Sequence, residues 1–125
     1  MTLFVIDASA LAAVLFGEPS SREVEERLRG AVMVAPTLLP YELGSTSLKK
    51  IAQDPDRRSQ LREALSYYSR MEIQEIEVPP VEVMSLAEAT KLSFYDASYL
   101  WLSRSLGVPL VTLDRKLEAA ASGRG

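Results

Sequence analysis

Leu3-Phe4-Val5-Ile6-Asp7-Ala8-Ser9, almost at the start of the chain, decides the fold. Four apolar residues with β-branched Val5 and Ile6 at their centre read as a short strand buried on both faces. An acid follows at once, and Ser9-Ala10-Leu11-Ala12-Ala13-Val14-Leu15-Phe16 reads as an apolar helix. Asp7 therefore sits where a buried strand hands over to a helix. In an open parallel sheet, ligands bind outside the carboxyl ends of the strands. The ordinary structural role for Asp7 is a helix N-cap, which Asp favours.

The rest of the chain repeats the alternation. Gly17-Glu18-Pro19 breaks the first helix, and Ser20 and Glu23 form the reciprocal pair of a capping box for a second, ended by Gly30. Ala31–Ala35 reads as a strand closed by Pro36. The next helix runs to about Gln53, with Pro40 in its first turn and Leu39, Leu43, Leu48, Ile51 and Ala52 as its expected buried side. Asp54-Pro55-Asp56 restarts the chain as a helix with Leu61, Ala64, Leu65 and Tyr68 on one face. Ile73–Val78 carries acids and reads as an edge strand. Pro79-Pro80 opens a helix to Lys91, and Ser93-Phe94-Tyr95-Asp96 opens another to Leu106. Leu110-Val111-Thr112-Leu113 is the last strand, and Asp114 starts a short final helix. Strands separated by helices predict a three-layer α/β/α domain with a short parallel sheet of about four to five strands. A single domain is expected over residues 1–121, with a frayed tail at 122–125.

Composition narrows the chemistry. The 125 residues are 47% hydrophobic, enough for a real core. No apolar run approaches the roughly 18 residues that span a bilayer, and Asp7 interrupts the early apolar run, so a soluble, cytoplasmic protein is expected. The chain contains no cysteine and no histidine. Thiolate zinc sites, cysteine nucleophiles and imidazole bases are excluded, leaving carboxylates, hydroxyls, lysines or a hard metal on oxygen ligands. The net charge of −3 argues against a generally basic nucleic-acid surface, though not against a local basic rim.

Four acids take the same kind of position. Asp7 and Asp114 follow the first and last strands, while Glu42 and Asp96 lie in first turns of helices. Each has an ordinary role as a cap or as a partner of a helix dipole. Jointly those roles explain less, because helices after parallel strands begin at one sheet edge. Acids about 5 Å apart repel by about 3 kcal/mol per pair at an effective dielectric near 20. A divalent cation offsets that repulsion, and Mg²⁺ or Mn²⁺ suits carboxylate and water ligands.

The pieces Phe4-Val5-Ile6-Asp7-Ala8-Ser9, Tyr41-Glu42-Leu43, Tyr95-Asp96-Ala97-Ser98-Tyr99-Leu100 and Leu110-Val111-Thr112-Leu113-Asp114 together resemble the PIN-domain nucleases, in particular the VapC-type toxins of toxin–antitoxin pairs. The resemblance covers essentially the whole chain. It implies that Asp7, Glu42, Asp96 and Asp114 form a catalytic acidic quartet, with Asp7, Asp96 and Asp114 on Mg²⁺ or Mn²⁺ and Ser9 and Thr112 as supporting hydroxyls. It implies hydrolysis of RNA phosphodiesters by an endoribonuclease, a homodimer, and a cognate antitoxin as partner. Leu15-Phe16, Leu38-Leu39 and Tyr67-Tyr68 supply large apolar groups for such contacts. Arg115, Lys116, Lys49 and Lys50 are the candidate phosphate contacts; their ordinary role is a solvated helix face. One departure is Asp114-Arg115-Lys116-Leu117, where many relatives carry a further acid or an aromatic near Leu117.

Other readings fit less. Ser47-Leu48-Lys49-Lys50 has the Ser-x-x-Lys spacing of serine acylases without their partner motifs. A receiver domain needs an acidic pair after its first strand, and a haloacid dehalogenase-type phosphatase needs Asp-x-Asp; here Ala8-Ser9 follows Asp7. The competing class is a PIN-like module that binds RNA or protein without catalysis.

Overall fold

The computed structural model describes residues 2–123. Its elements follow the alternation in order: β1 (Thr2–Ile6), α1 (Ala8–Leu15), α2 (Ser21–Leu28), β2 (Ala31–Pro36), α3 (Leu39–Gln53), α4 (Arg58–Ser66), β3 (Ile73–Ile76), α5 (Pro80–Thr90), α6 (Phe94–Leu106), β4 (Leu110–Val111) and α7 (Arg115–Ala121). Short 3₁₀ turns at Pro55–Arg57 and Tyr67–Arg70 flank α4. Among the described residues four strands form one sheet in the order β3-β2-β1-β4, and every pairing is parallel.

That order positions the site. The chain steps outward from β1 to β2 to β3, then returns to lay β4 against the other side of β1. Val5 pairs with Val34 on one side and Leu110 on the other, and Ile6 pairs with Val111. The carboxyl ends of β1 and β4 thus flank the point where strand order reverses, and a crevice opens there in such sheets. Val5 and Ile6 point to opposite faces, yet both are completely buried, so helices cover both sides of β1. Helix α6 packs on β1 and β2, with α5 and α7 beside it, and α1 packs with α2 and α3.

Several local expectations change. Strand β3 is an edge strand, but its ladder ends at Ile76. Strand β4 ends at Val111, so Thr112 and Leu113 leave the ladder. Ser20 and Glu23 form no capping box: Ser20 has φ −83° and ψ 0°, outside extended geometry, and its side chain makes no cap bond. Ser21 Oγ–H instead donates to Glu25 Oε1 at 2.7 Å. On α3 the buried stripe is Leu39, Leu43 and Ser47, while Ile51 is half-buried and Leu48 and Ala52 are exposed. Leu48 lies five residues beyond Leu43, about 140° further round a helix, and so faces away from the core. Ser47 takes the place expected of it because its hydroxyl donates to the Leu43 carbonyl at 3.0 Å. Phe16 and Leu39 are core residues, which leaves Leu15, Leu38, Tyr67 and Tyr68 wholly or partly open from the apolar pairs singled out above. At the end of the chain, the amides of Ser122 and Gly123 donate to Glu118 and Ala120 carbonyls at 3.0 and 3.2 Å. The remainder of the expected tail, 124–125, lies outside the described residues.

The two leucines of α3 test this assignment. Leu43→Ala should destabilise the protein by about 2–5 kcal/mol, whereas Leu48→Ala should change stability by no more than about 0.5 kcal/mol. Urea unfolding followed by circular dichroism measures both. Equal losses would show that the buried face of α3 has been misassigned.

Candidate active site

Asp7 leaves β1 fully buried and turns the chain into α1. Its backbone is extended (φ −97°, ψ 175°), and Oδ1 accepts the Ala10 N–H at 3.0 Å, so it is an N-cap in full. Oδ1 also accepts from Ser9 Oγ–H at 2.8 Å, and Oδ2 accepts from Thr112 Oγ1–H at 2.5 Å. Ser9 and Thr112 stand 3.3 Å apart. Each hydroxyl has a single proton, already directed at Asp7, so their mutual approach is a contact within the cluster rather than another full bond. Ser9 Oγ in turn accepts the Leu113 N–H at 2.9 Å, and Thr112 Oγ1 accepts the Asp114 N–H at 3.0 Å. Leaving the ladder after Val111 is what frees Thr112 to reach back to Asp7.

Asp114 caps α7, with Oδ1 accepting the Leu117 N–H at 2.9 Å. Asp96 sits in the first turn of α6, where its own N–H donates to Ser93 Oγ at 3.1 Å. Glu42, in the first turn of α3, accepts from the buried Tyr99 hydroxyl at 2.6 Å through Oε1. Asp7, Ser9, Glu42, Asp96, Tyr99 and Asp114 line one cleft of about 380 Å³, with Thr112 immediately behind it.

Burial and mutual repulsion act on these acids. Desolvation raises the pKa of Asp7; the hydrogen bonds from Thr112, Ala10 and Ser9 oppose this, and the charge of Asp96 adds to it. Glu42 is raised by desolvation and by the charges of Asp96 and Asp7, against the pull of Tyr99. Asp96 is raised by desolvation and by Asp114, with Ser93 and Lys116 opposing. The carboxylates therefore form a connected set in which each charge is felt by a neighbour.

The donor set fits a hard divalent cation. It consists of oxygens alone, in a chain without histidine or cysteine. Asp7 receives three donors, which leaves one of a carboxylate's roughly four acceptor sites for an ion. Among the described residues no three acids stand close enough to enclose a metal by themselves. Mg²⁺ ordinarily keeps several waters and takes one or two carboxylates, so such an enclosure is not required.

The basic residues are placed differently. Lys50 Nζ bonds to the Glu18 carboxylate and lies 5.8 Å from the centre of the Phe16 ring. Lys116 Nζ donates to the Lys91 carbonyl at 2.6 Å. Lys49 lines a hollow beside the cleft, and Arg115 is exposed. None of the four is on the wall of the acid cleft itself. Two residues of the site carry roles that sequence reasoning missed. Tyr99 lies one helical turn beyond Asp96, a spacing that marks the same face of α6. Glu18, on the cleft wall, follows a helix-breaking glycine and had no local signal at all.

Raised carboxyl pKa values carry a stability consequence. The folded state holds these protons more tightly than the unfolded chain. Stability therefore falls as pH rises from the unfolded value near 4 through the folded values, and stays lower above them. In metal-free protein, Asp96→Asn should melt higher than the parent at pH 7, with the gap closing near pH 3, where Asp96 is protonated in both states. Thermal melts with chelator at the two pH values measure this, and a variant that melts lower at pH 7 would contradict it.

The comparisons agree with this fold. The PIN domain family model matches residues 4–123. Exonuclease VapC9 of Pyrobaculum aerophilum is 32% identical, aligning over 96% of this chain and 86% of its own. Ribonuclease VapC1 of Mycobacterium tuberculosis is 32% identical over 93% of this chain and 89% of its own. The crystal structure of PAE2754 from Pyrobaculum aerophilum superposes with a TM-score of 0.77 at 30% identity, covering 98% of this chain and 87% of that one. With a parallel sheet, four acids at its switch point and matches over nearly its whole described length, the chain belongs to the PIN-domain family.

Proposed function

We propose that this protein is an Mg²⁺- or Mn²⁺-dependent endoribonuclease, the toxin of a toxin–antitoxin pair, acting in the cytoplasm. The observation that carries the reading is the gathering of Asp7, Glu42, Asp96 and Asp114 around one cleft in a chain of this family. VapC relatives named as ribonucleases support it.

Asp7, Asp96 and Asp114 would hold the cation together with its waters, one or two of them directly and the rest through a water, and the cation when bound would supply charge neutralisation at the scissile phosphate and lower the pKa of a water. The chain's own residues do the rest. Thr112 and Ser9 fix the Asp7 carboxylate in one orientation. Tyr99 occupies Glu42 Oε1, leaving Oε2 to accept the proton of an attacking water. The raised proton affinity of Glu42 suits that task, because a base works best with a pKa close to the operating pH. The named exonuclease among the relatives favours a second reading, attack from a strand end.

A homodimer and an antitoxin complete the proposal. A groove of about 450 Å³ between α1 and α4, in which Leu15, Ala64, Tyr67 and Met71 alternate with Gln60, Glu63 and Arg70, offers a part-apolar seat for a partner segment. No helix among the described residues is long and apolar enough to cross a membrane.

The decisive experiment incubates the protein with linear and circular RNA of one sequence. Cleavage of both is expected, requiring Mg²⁺ or Mn²⁺, stopped by EDTA and reduced to background in Asp96→Asn. Cleavage of linear RNA alone would establish the exonuclease, and cleavage that persists in EDTA would remove the metal from the reaction. Independently of activity, Mg²⁺ should raise the melting temperature of the parent more than that of Asp96→Asn. Sedimentation at micromolar concentration should show a dimer.

A further inference from the structure

Beside the acid cleft lies a second hollow of about 560 Å³, walled by Leu38, Tyr41, Ser45, Lys49 and Tyr95 and sharing Ala8, Glu42 and Thr46 with the cleft. We propose that this hollow is a nucleobase subsite in which Tyr41 and Tyr95 stack an unpaired RNA base next to the scissile phosphate. The proposal rests on the ribonuclease reading above and deepens it, by assigning two aromatic side chains as the base contacts of that same site.

Chain connectivity ties the rings to the chemistry. Tyr41 immediately precedes Glu42 in the first turn of α3, and Tyr95 immediately precedes Asp96 in the first turn of α6. Neighbours on a helix point about 100° apart, so each turn aims an acid at the cleft and an aromatic ring at the hollow next to it. Both rings are open to solvent, Tyr41 at 79% and Tyr95 at 57%. Phe94 meets Tyr95 edge-on, with ring centres 6.3 Å apart and planes at 69°, which limits the motion of that ring. The volume falls in the range of nucleotide-sized pockets, and Ser45, Thr46 and Glu42 offer polar groups to a base edge.

Charge favours such a subsite. A polyanion entering among four carboxylates is repelled, and two of the nearby lysines are already engaged, Lys50 by Glu18 and Lys116 by the Lys91 carbonyl. Lys49, on the wall of the hollow, is placed to meet a backbone phosphate while the rings hold the base. Stacking on aromatic side chains needs no net positive charge and operates on any base. It also requires a free base face, which a base inside a duplex does not offer, so the hollow selects unpaired RNA.

The test measures binding in the full-length Asp96→Asn protein, which leaves RNA intact. The probes are a 12-nucleotide single strand carrying 2-aminopurine, the same strand with an abasic site in place of that base, and its duplex. Tyr41→Ala and Tyr95→Ala should each weaken single-strand binding roughly ten- to a hundredfold and abolish the 2-aminopurine quenching. Tyr41→Phe and Tyr95→Phe should stay within about threefold of the parent, which excludes misfolding as the cause. Lys49→Ala should lower the magnitude of the salt slope by about 0.7. Alanine variants that bind the single strand as the parent does, or that lose single strand and duplex equally, would overturn the subsite. So would a parent dimer that becomes monomeric in Tyr41→Ala, since the hollow would then be an interface between copies. Unimpaired cleavage by the parent alongside any of these outcomes sinks only the stacking, whereas a parent that neither binds nor cuts RNA sinks the ribonuclease reading with it.

Discussion

A buried carboxylate at the end of β1 is the constraint on which the molecule turns. Asp7 is only 4% exposed, and an ionised group in that position is costly unless donors surround it. Its donors come from two distant parts of the chain: Ala10 and Ser9 on α1, and Thr112 just past β4. Satisfying one carboxylate therefore closes the sheet at its switch point. Strand β1 must lie against β4 for Thr112 to reach, and β4 must stop at Val111 for Thr112 to turn inward. The same bonds set where Asp114 begins α7, because Thr112 accepts its amide.

Capping and ligand binding are usually weighed as alternatives for an acid at a helix start. Here the cap leaves the carboxylate open to the cleft, so the two roles do not compete. Asp7 gives Oδ1 to the amide of its own helix, and Asp114 does likewise, yet both still face the cleft. An N-cap orients a carboxylate rigidly and keeps it at the edge of the sheet, the property a metal ligand requires. Local stability and site geometry thus reinforce each other at these two residues. Glu42 and Asp96 differ: each lies inside a first turn, Glu42 held by the Tyr99 hydroxyl and Asp96 set through its own N–H on Ser93 Oγ.

The basic side chains follow a separate logic. In a chain with 17 acids and 14 lysines and arginines, cations near an acidic cleft find partners within the protein. Lys50 is held by Glu18 with its stem along Phe16, and Lys116 closes the end of α5 at Lys91, a residue in left-handed geometry with φ 61°. Such lysines stabilise the rim more readily than they grip a ligand. The open surface beside the acids is aromatic instead, at Tyr41 and Tyr95.

The sequence by itself determined the strand–acid–helix handover at Asp7, the parallel α/β class, and which four acids begin helices, because these rest on local hydrophobic period and turn chemistry. It also sufficed for β3 as an edge strand, since acids within a short apolar run mark an open edge. Only the tertiary structure decided who meets whom. Thr112 reaches Asp7 across 105 residues, Tyr99 meets Glu42 across 57, and Lys50 meets Glu18 across 32. Those pairings depend on strand order and helix rotation, and no window of sequence contains them. The misjudged details have the same origin: Leu48 is apolar yet faces solvent because rotation about α3 is set by Leu39 and Leu43, and Ser20 lost its capping box because its own backbone is not extended. Local pattern says what a residue can do, and packing chooses which neighbour it does it with.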